Sequence, residues 1–237
     1  MNAARAFPRP RRDASVVTRA CLTSVRTIAR TACPTRDSRI TQPDRIALDP
    51  IAAALSRELA ARRRIALAPS DKTAAAVLVP LVAVDDGLHV LFTRRAASLP
   101  HHQGQVAFPG GTRDEDDVDA EATALREAEE EIGLRPPDVH LLGRLDDLET
   151  VASRFVITPV VGMVPDRYPW KPSPHEVDTI FTVPVSELLA PGAEREELWD
   201  FDGRRIPIRL FPVAGQVIWG ATHRITRNLL DVLAAVR

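Results

Sequence analysis

Residues Gly110 to Leu134 read GGTRDEDDVDAEATALREAEEEIGL. A helix over about 120–132 is expected from its two ends. Asp119 has the short acceptor side chain that caps a helix start, and Gly133 tolerates the left-handed backbone that stops one. At about 100° per residue, Leu125, Ala128 and Ile132 fall on one face and are expected in the core. Glu127, Glu130 and Glu131 stand at i, i+3 and i+4 and gather on a different face. Arg126 is one turn from Glu129 and Glu130 and can brace part of that cluster.

Left alone, the cluster is unfavourable. Like charges one turn apart each destabilise a helix by ~0.3 kcal/mol. Acids in the last turn also oppose the helix dipole. A divalent cation would reverse both effects. Carboxylate oxygens with no histidine or cysteine beside them favour Mg2+ or Mn2+ over zinc. Acid runs on helices are usually solvated faces, so E-x-x-E-E by itself would support little. Its neighbourhood changes the balance. Phe108-Pro109-Gly110-Gly111 comes just before, giving a backbone able to approach a ligand or metal closely.

Upstream, AAAVLVPLVAV gives a strand around 75–84. The Asp86-Gly87 turn leads into a second strand, LHVLFTRR, over 88–95. Pro80 places the first of these near a sheet edge or a bulge. Downstream, strands are expected at 139–145, 156–164, 177–183, 196–201 and 206–211, and helices at 184–190 and 221–236. Many strands with few, unevenly spaced helices indicate an α+β sandwich with a mixed sheet. Asp49-Pro50 opens a further helix over 49–63, its stripe formed by Ile51, Leu55 and Leu59.

The folded part is thus expected over 47–237. Residues 1–46 are rich in arginine and poor in acids. An untethered tail or an upstream extension from a misassigned start is favoured there over a transit peptide. Across the 237 residues the formal net charge is -1, which argues against a general nucleic-acid binder. Lys72 and Lys171 are the only lysines, so positive charge is nearly all arginine. Hydrophobic residues make up 45%, enough for a sizeable core. Cys21 and Cys33 cannot make a disulfide framework or a four-thiolate zinc site, so a reducing, cytoplasmic setting is expected. No apolar run approaches the roughly 18 residues of a membrane span. The lone histidines His175 and His223, and the adjacent pair His101-His102, do not make a histidine metal site.

Taken together, Arg126-Glu127-Ala128-Glu129-Glu130-Glu131-Ile132-Gly133-Leu134 resembles the second half of the Nudix hydrolase signature, R-E-U-x-E-E-x-G-U, where U is aliphatic. Between Gly111 and Arg126 the spacing is one residue longer than the general pattern. The signature's early acid falls on Asp117 or on Glu115. Leu91-Phe92-Thr93-Arg94-Arg95-Ala96, followed by Gly104-Gln105-Val106-Ala107-Phe108-Pro109-Gly110-Gly111, resembles the extra motif of the coenzyme A pyrophosphatase branch. Pro100 stands where that motif has a basic residue, which removes one contact to a coenzyme A phosphate; Arg94, Arg95, His101 and His102 lie nearby. Ile157-Thr158-Pro159-Val160-Val161-Gly162, Glu176-Val177, Phe181-x-Val183-Pro184 and Trp219-Gly220-x-Thr222 echo the same branch.

The resemblance implies a Nudix-type α/β/α sandwich that hydrolyses a diphosphate with one to three Mg2+ or Mn2+ ions. It places the metal on Glu127, Glu130 and Glu131 and the general base among Glu127, Glu130 and Glu176. Arg94, Arg95, Gly110 and Gly111 would meet the substrate. The expected substrate is a small molecule, coenzyme A or a derivative, with no nucleic-acid or membrane partner, and the chain is compatible with a homodimer. Two alternatives stay open. One is a Nudix pyrophosphatase for another nucleoside diphosphate derivative, such as ADP-ribose or a dinucleotide. The other is a non-catalytic Nudix-fold binding module, disfavoured because every glutamate of R-E-x-x-E-E is present.

Overall fold

The computed structural model describes residues 50–68, 71–99, 102–150, 154–201 and 203–236. The expected extension over 1–46, both cysteines, Asp49, Pro100 and His101 lie outside the described residues. Strands β1 (Thr73–Val84) and β2 (Gly87–Arg95) form the expected hairpin, paired from Val84↔Gly87 to Leu81↔Val90. Beyond Leu81 the two strands splay. The wedge between them is filled by β3 (Val106–Ala107), which pairs with β2, and β4 (Gly110–Thr112), which pairs with β1. The glycine loop therefore sits where the sheet opens.

On its other side β1 runs parallel to β7 (Phe155–Val164), from Thr73↔Phe155 to Val82↔Val164. Strands β5 (His140–Arg144) and β6 (Leu148–Glu149) pair antiparallel with β7, and β8 (Val177–Pro184) pairs antiparallel with β2. The sheet is mixed, as expected.

Alternation along β1 explains the layers, because successive side chains point to opposite faces. Val79 and Leu81 enter a core shared with helices α1 (Pro50–Ala61) and α4 (Gly220–Ala235). Ala76, Leu78 and Val82 enter a second core under α2 (Ala120–Ile132). Leu78 and Leu81 are fully buried, each contributing about 2 kcal/mol relative to exposure. The result is an α/β/α sandwich.

Pro80 corrects an expectation: β1 is central, not an edge. Leu78 donates its N–H to the Pro109 carbonyl at 2.8 Å, and Pro80, two residues on, faces the same side of the strand. There β4 has ended at Val77 and pairing with β2 starts at Leu81. The donor that proline lacks would have faced this changeover, so no ladder bond is lost.

A smaller antiparallel sheet, in the order β11–β10–β9, comprises β9 (Arg195–Phe201), β10 (Arg204–Val213) and β11 (Gln216–Trp219). The expected helix over 184–190 is shorter, α3 (Val185–Leu188).

Candidate active site

Helix α2 begins and ends as its sequence dictates. The Asp119 side chain accepts the Ala122 N–H at 2.8 Å, and Gly133, with φ 71°, closes the last turn. Its buried stripe is Ala124, Ala128 and Ile132, with Thr123. Leu125 is only half-buried, because a strict i, i+4, i+8 line through Ala128 and Ile132 passes through Ala124.

The three glutamates do not share one environment. Glu131 is buried, 7% exposed, and its Oε2 accepts the Gly110 N–H at 3.3 Å. Burial pushes its carboxyl up to about 8; nearby Arg95 and the Gly110 N–H oppose the shift, and Glu127 and Glu176 add to it. Glu127 is half-buried, and burial raises its pKa too, against the pull of Arg126 and with the repulsion of Glu130 and Glu176. Glu130 lies mostly in solvent and meets Arg126 Nη1 at 3.3 Å.

Gly111 explains how Glu127 reaches the loop. A β-carbon on Gly111 would stand 2.4 Å from Glu127 Oε1, so a side chain here would force the carboxylate away from this backbone. Loop and helix are locked together by Arg126. It donates Nε to Asp117 Oδ1 at 3.2 Å and Nη2 to Asp117 Oδ2 at 3.0 Å, while Nη2 also reaches the Thr112 carbonyl at 2.9 Å. The guanidinium hydrogen bonds hold Asp117 down at about 2. Asp117 is buried and Glu115 exposed, so Asp117 carries the bracing contact.

The adjacent arginines separate. A β-bulge falls between Arg94 and Arg95 where β2 meets β8. Arg94 is clamped to Asp178, with Nε at 2.7 Å, and to Thr179 Oγ1 at 3.2 Å. Arg95 faces the Glu131 side, and its buried Nε has no hydrogen-bond partner among the described residues. Burying such a donor without a partner costs about 1–3 kcal/mol, which a ligand oxygen would recover.

Glu176 is brought in by tertiary structure. Ser173 and Lys171 donate backbone N–H groups to the Glu131 and Ile132 carbonyls at 2.8 and 3.0 Å, capping the end of α2. The Glu176 carbonyl accepts the Ala96 N–H at 2.8 Å. Both ties hold the turn before β8 against the site, within electrostatic reach of Glu127 and Glu131. Sequence reading missed Ser173 and Lys171, since a backbone N–H carries no residue signature.

Among the described residues, no three His, Cys, Asp or Glu side chains already converge as a formed metal cage. The donors nonetheless fit a small divalent cation. Glu127 and Glu131 are one turn apart and largely withdrawn from water, and the charge of Glu127 adds to the raised pKa of Glu131, the situation a hard cation relieves.

The NUDIX domain family matches residues 72–207. A Yersinia pestis (strain Pestoides F) protein named "Uncharacterized Nudix hydrolase NudL" is 41% identical over 157 residues, covering 65% of this chain and 77% of the relative. The protein of that name from Yersinia pseudotuberculosis serotype O:3 (strain YPIII) matches with the same figures, 41% over 157 residues, 65% and 77%. Among solved structures, a C. elegans Ap4A hydrolase is 19% identical with a TM-score of 0.41, covering 49% of this chain and 83% of its own. A MutT/nudix family protein from Enterococcus faecalis is 15% identical with a TM-score of 0.45, covering 73% and 65%. These structural likenesses are weak. No helix among the described residues is long and apolar enough to cross a membrane.

Proposed function

The chain belongs to the Nudix domain family, and from that premise we propose that it hydrolyses the diphosphate bond of coenzyme A or one of its derivatives. Water would attack one phosphorus and the bridging P–O bond would break. The products from coenzyme A are 3′,5′-ADP and 4′-phosphopantetheine. The observation that supports this substrate is the run from Leu91 to Ala96 and from Gly104 to Gly111, which is folded into the site itself as the end of β2, β3 and the glycine loop.

A bound Mg2+ or Mn2+ supplies charge screening of the diphosphate and a lowered pKa for the attacking water. Glu127 and Glu131 are its principal holders in this proposal, with Glu130 completing the set on the exposed side and Gly111 keeping the backbone close. The proton leaving water goes to a carboxylate, and Glu127, Glu130 and Glu176 are the candidates. Arg95 takes a substrate phosphate oxygen through its free Nε, as guanidinium suits phosphate geometry. Arg94, already clamped by Asp178, supports the site through β8.

The test is to incubate the protein with coenzyme A, ADP-ribose and a diadenosine polyphosphate, with Mg2+, Mn2+ or EDTA, and to separate the products. Metal-dependent release of 3′,5′-ADP from coenzyme A, in preference to the other cleavages, is the expected result. Preferential cleavage of ADP-ribose or the dinucleotide would discard coenzyme A and keep the diphosphate chemistry.

A further inference from the structure

The connection from β2 to β3 carries two polar side chains that meet each other. His102 Nδ1 and Gln105 Oε1 stand 3.0 Å apart. Their turn closes through the Gln105 N–H, which donates to the His102 carbonyl at 3.2 Å. His102 holds a left-handed backbone, with φ 58°, a conformation that glycine takes without penalty and histidine does not. Strain of this kind gathers where a side chain has to be presented in one place.

Strand pairing fixes the face on which the couple lies. Arg95 donates its N–H to the Gln105 carbonyl at 2.9 Å and accepts the Gly104 N–H at 3.1 Å. These bonds continue the register Thr93↔Ala107 and Arg94↔Val106. Residues opposite each other in a ladder share a face, and neighbours along a strand alternate. Phe92 and Val106 enter the core beneath α1 and α4, while Leu91 enters the core under α2. Arg95 and Gln105 therefore both point to the α2 side. The bulge leaves this alternation intact, because its extra residue, Asp178, belongs to β8. The charge of Arg95 acting on the Glu131 carboxyl agrees with that face. Through Gln105, His102 is thus held beside the arginine whose buried Nε has no partner among the described residues.

The couple also sets what the imidazole can do. Gln105 Oε1 only accepts, so Nδ1 carries the hydrogen of their bond. The ring is exposed, and Nε2 is left to take a second proton and become a charged donor. The charged groups on this face are Arg95 of β2, Glu127 and Glu131 of α2, and Glu176 before β8. A bound diphosphate adds negative charge and favours the cationic ring. Pro100 leaves the upstream motif one cation short, and His102 follows it by two residues.

We propose that His102 is a substrate-binding residue, held by Gln105 so that Nε2 donates to a phosphoryl oxygen beside the one taken by Arg95. Gln105 is a positioning residue. This rests on the assignment of a diphosphate as substrate, and not on coenzyme A in particular.

The probe is methylenediphosphonate, a diphosphate analogue that resists hydrolysis, titrated by calorimetry into the full chain with saturating Mg2+. Titrations at about pH 6 and about pH 8 bracket the range in which histidines change charge. His102→Asn and His102→Gly both remove the ring and tolerate the left-handed backbone. Gln105→Ala removes the holder, and thermal unfolding checks that every variant is folded. At about pH 6 both ring-free variants should bind the analogue about tenfold more weakly than the wild type, as one charged phosphate contact is lost. At about pH 8 the gap should close to about twofold, because the neutral ring has no donor at Nε2. Gln105→Ala should fall between. With coenzyme A the loss should appear in KM, and more at the lower pH, rather than in kcat. Wild-type affinity in both ring-free variants at about pH 6 overturns the inference, even if coenzyme A is hydrolysed. An equal loss at both pH values overturns it too and leaves His102 as a turn residue. A gap that closes at about pH 8, in a protein that does not hydrolyse coenzyme A, keeps His102 as a phosphate ligand and removes the coenzyme A assignment.

Discussion

Ser173 donates its backbone N–H to the Glu131 carbonyl at 2.8 Å, joining the turn that carries Glu176 to the last turn of α2. This bond helps cap a helix whose last carbonyls would otherwise lack partners and helps hold a third acid, Glu176, near Glu127 and Glu131.

If Glu176 accepts the proton from water, Glu176→Gln lowers kcat by about 100-fold or more, the usual contribution of a general base. The concentration of Mn2+ giving half-maximal rate should be unchanged. Unaltered kcat would leave Glu176 as a turn residue and shift the role to Glu127 or Glu130.

Gly111→Ala puts a methyl 2.4 Å from Glu127 Oε1. The carboxylate must move, and displacement of a catalytic group by about 1 Å costs about 100-fold in rate. Steady-state kinetics and circular dichroism together check this: kcat/KM should fall while the far-ultraviolet spectrum stays the same. A variant as active as the wild type would show that Glu127 need not approach this backbone.

Glu131→Gln keeps the shape of the buried side chain and removes the carboxylate proposed to hold the metal. Turnover at saturating Mg2+ is expected to fall by at least about 100-fold. Substantial residual activity would sink the assignment of Glu131 to the metal.

Arg95→Ala is expected to raise KM about tenfold, as one charged phosphate contact is lost. Arg94→Ala breaks the Asp178 pair, in which both side chains are more than a third exposed, and should lower stability by less than about 1 kcal/mol. Unchanged kcat and KM in Arg95→Ala would remove it from the substrate site.

Asp117 links stability to acid pH. Its folded pKa is about 2 against an ordinary 3.8, so the folded state prefers the ionised form. The stabilisation is fully present above pH 3.8 and is lost as pH falls through about 2. Urea midpoints measured between these values should fall less steeply with decreasing pH in Asp117→Asn than in the wild type. Parallel curves would refute the linkage.

Local chemistry carried much of this protein in its sequence. The limits of α2 were legible because Asp119 and Gly133 act on their own neighbours, and the carboxylate cluster because helical spacing is fixed by the backbone. The main strands followed from apolar runs and an Asp-Gly turn. Tertiary structure decided the rest. The short strands β3 and β4 exist only through pairing with β2 and β1 farther back in the chain, so no local pattern marks them. Pro80 suggested an edge because a missing donor is visible in sequence, whereas the changeover of partners that makes it harmless is not. Arg94 and Arg95 are equivalent as letters. A bulge and the carboxylate of Asp178, 84 residues away from Arg94, engage one and leave the other facing Glu131. The same holds for the glutamates: their spacing is a property of the chain, but burial, which sets Glu131 apart from Glu130, is a property of what folds over them.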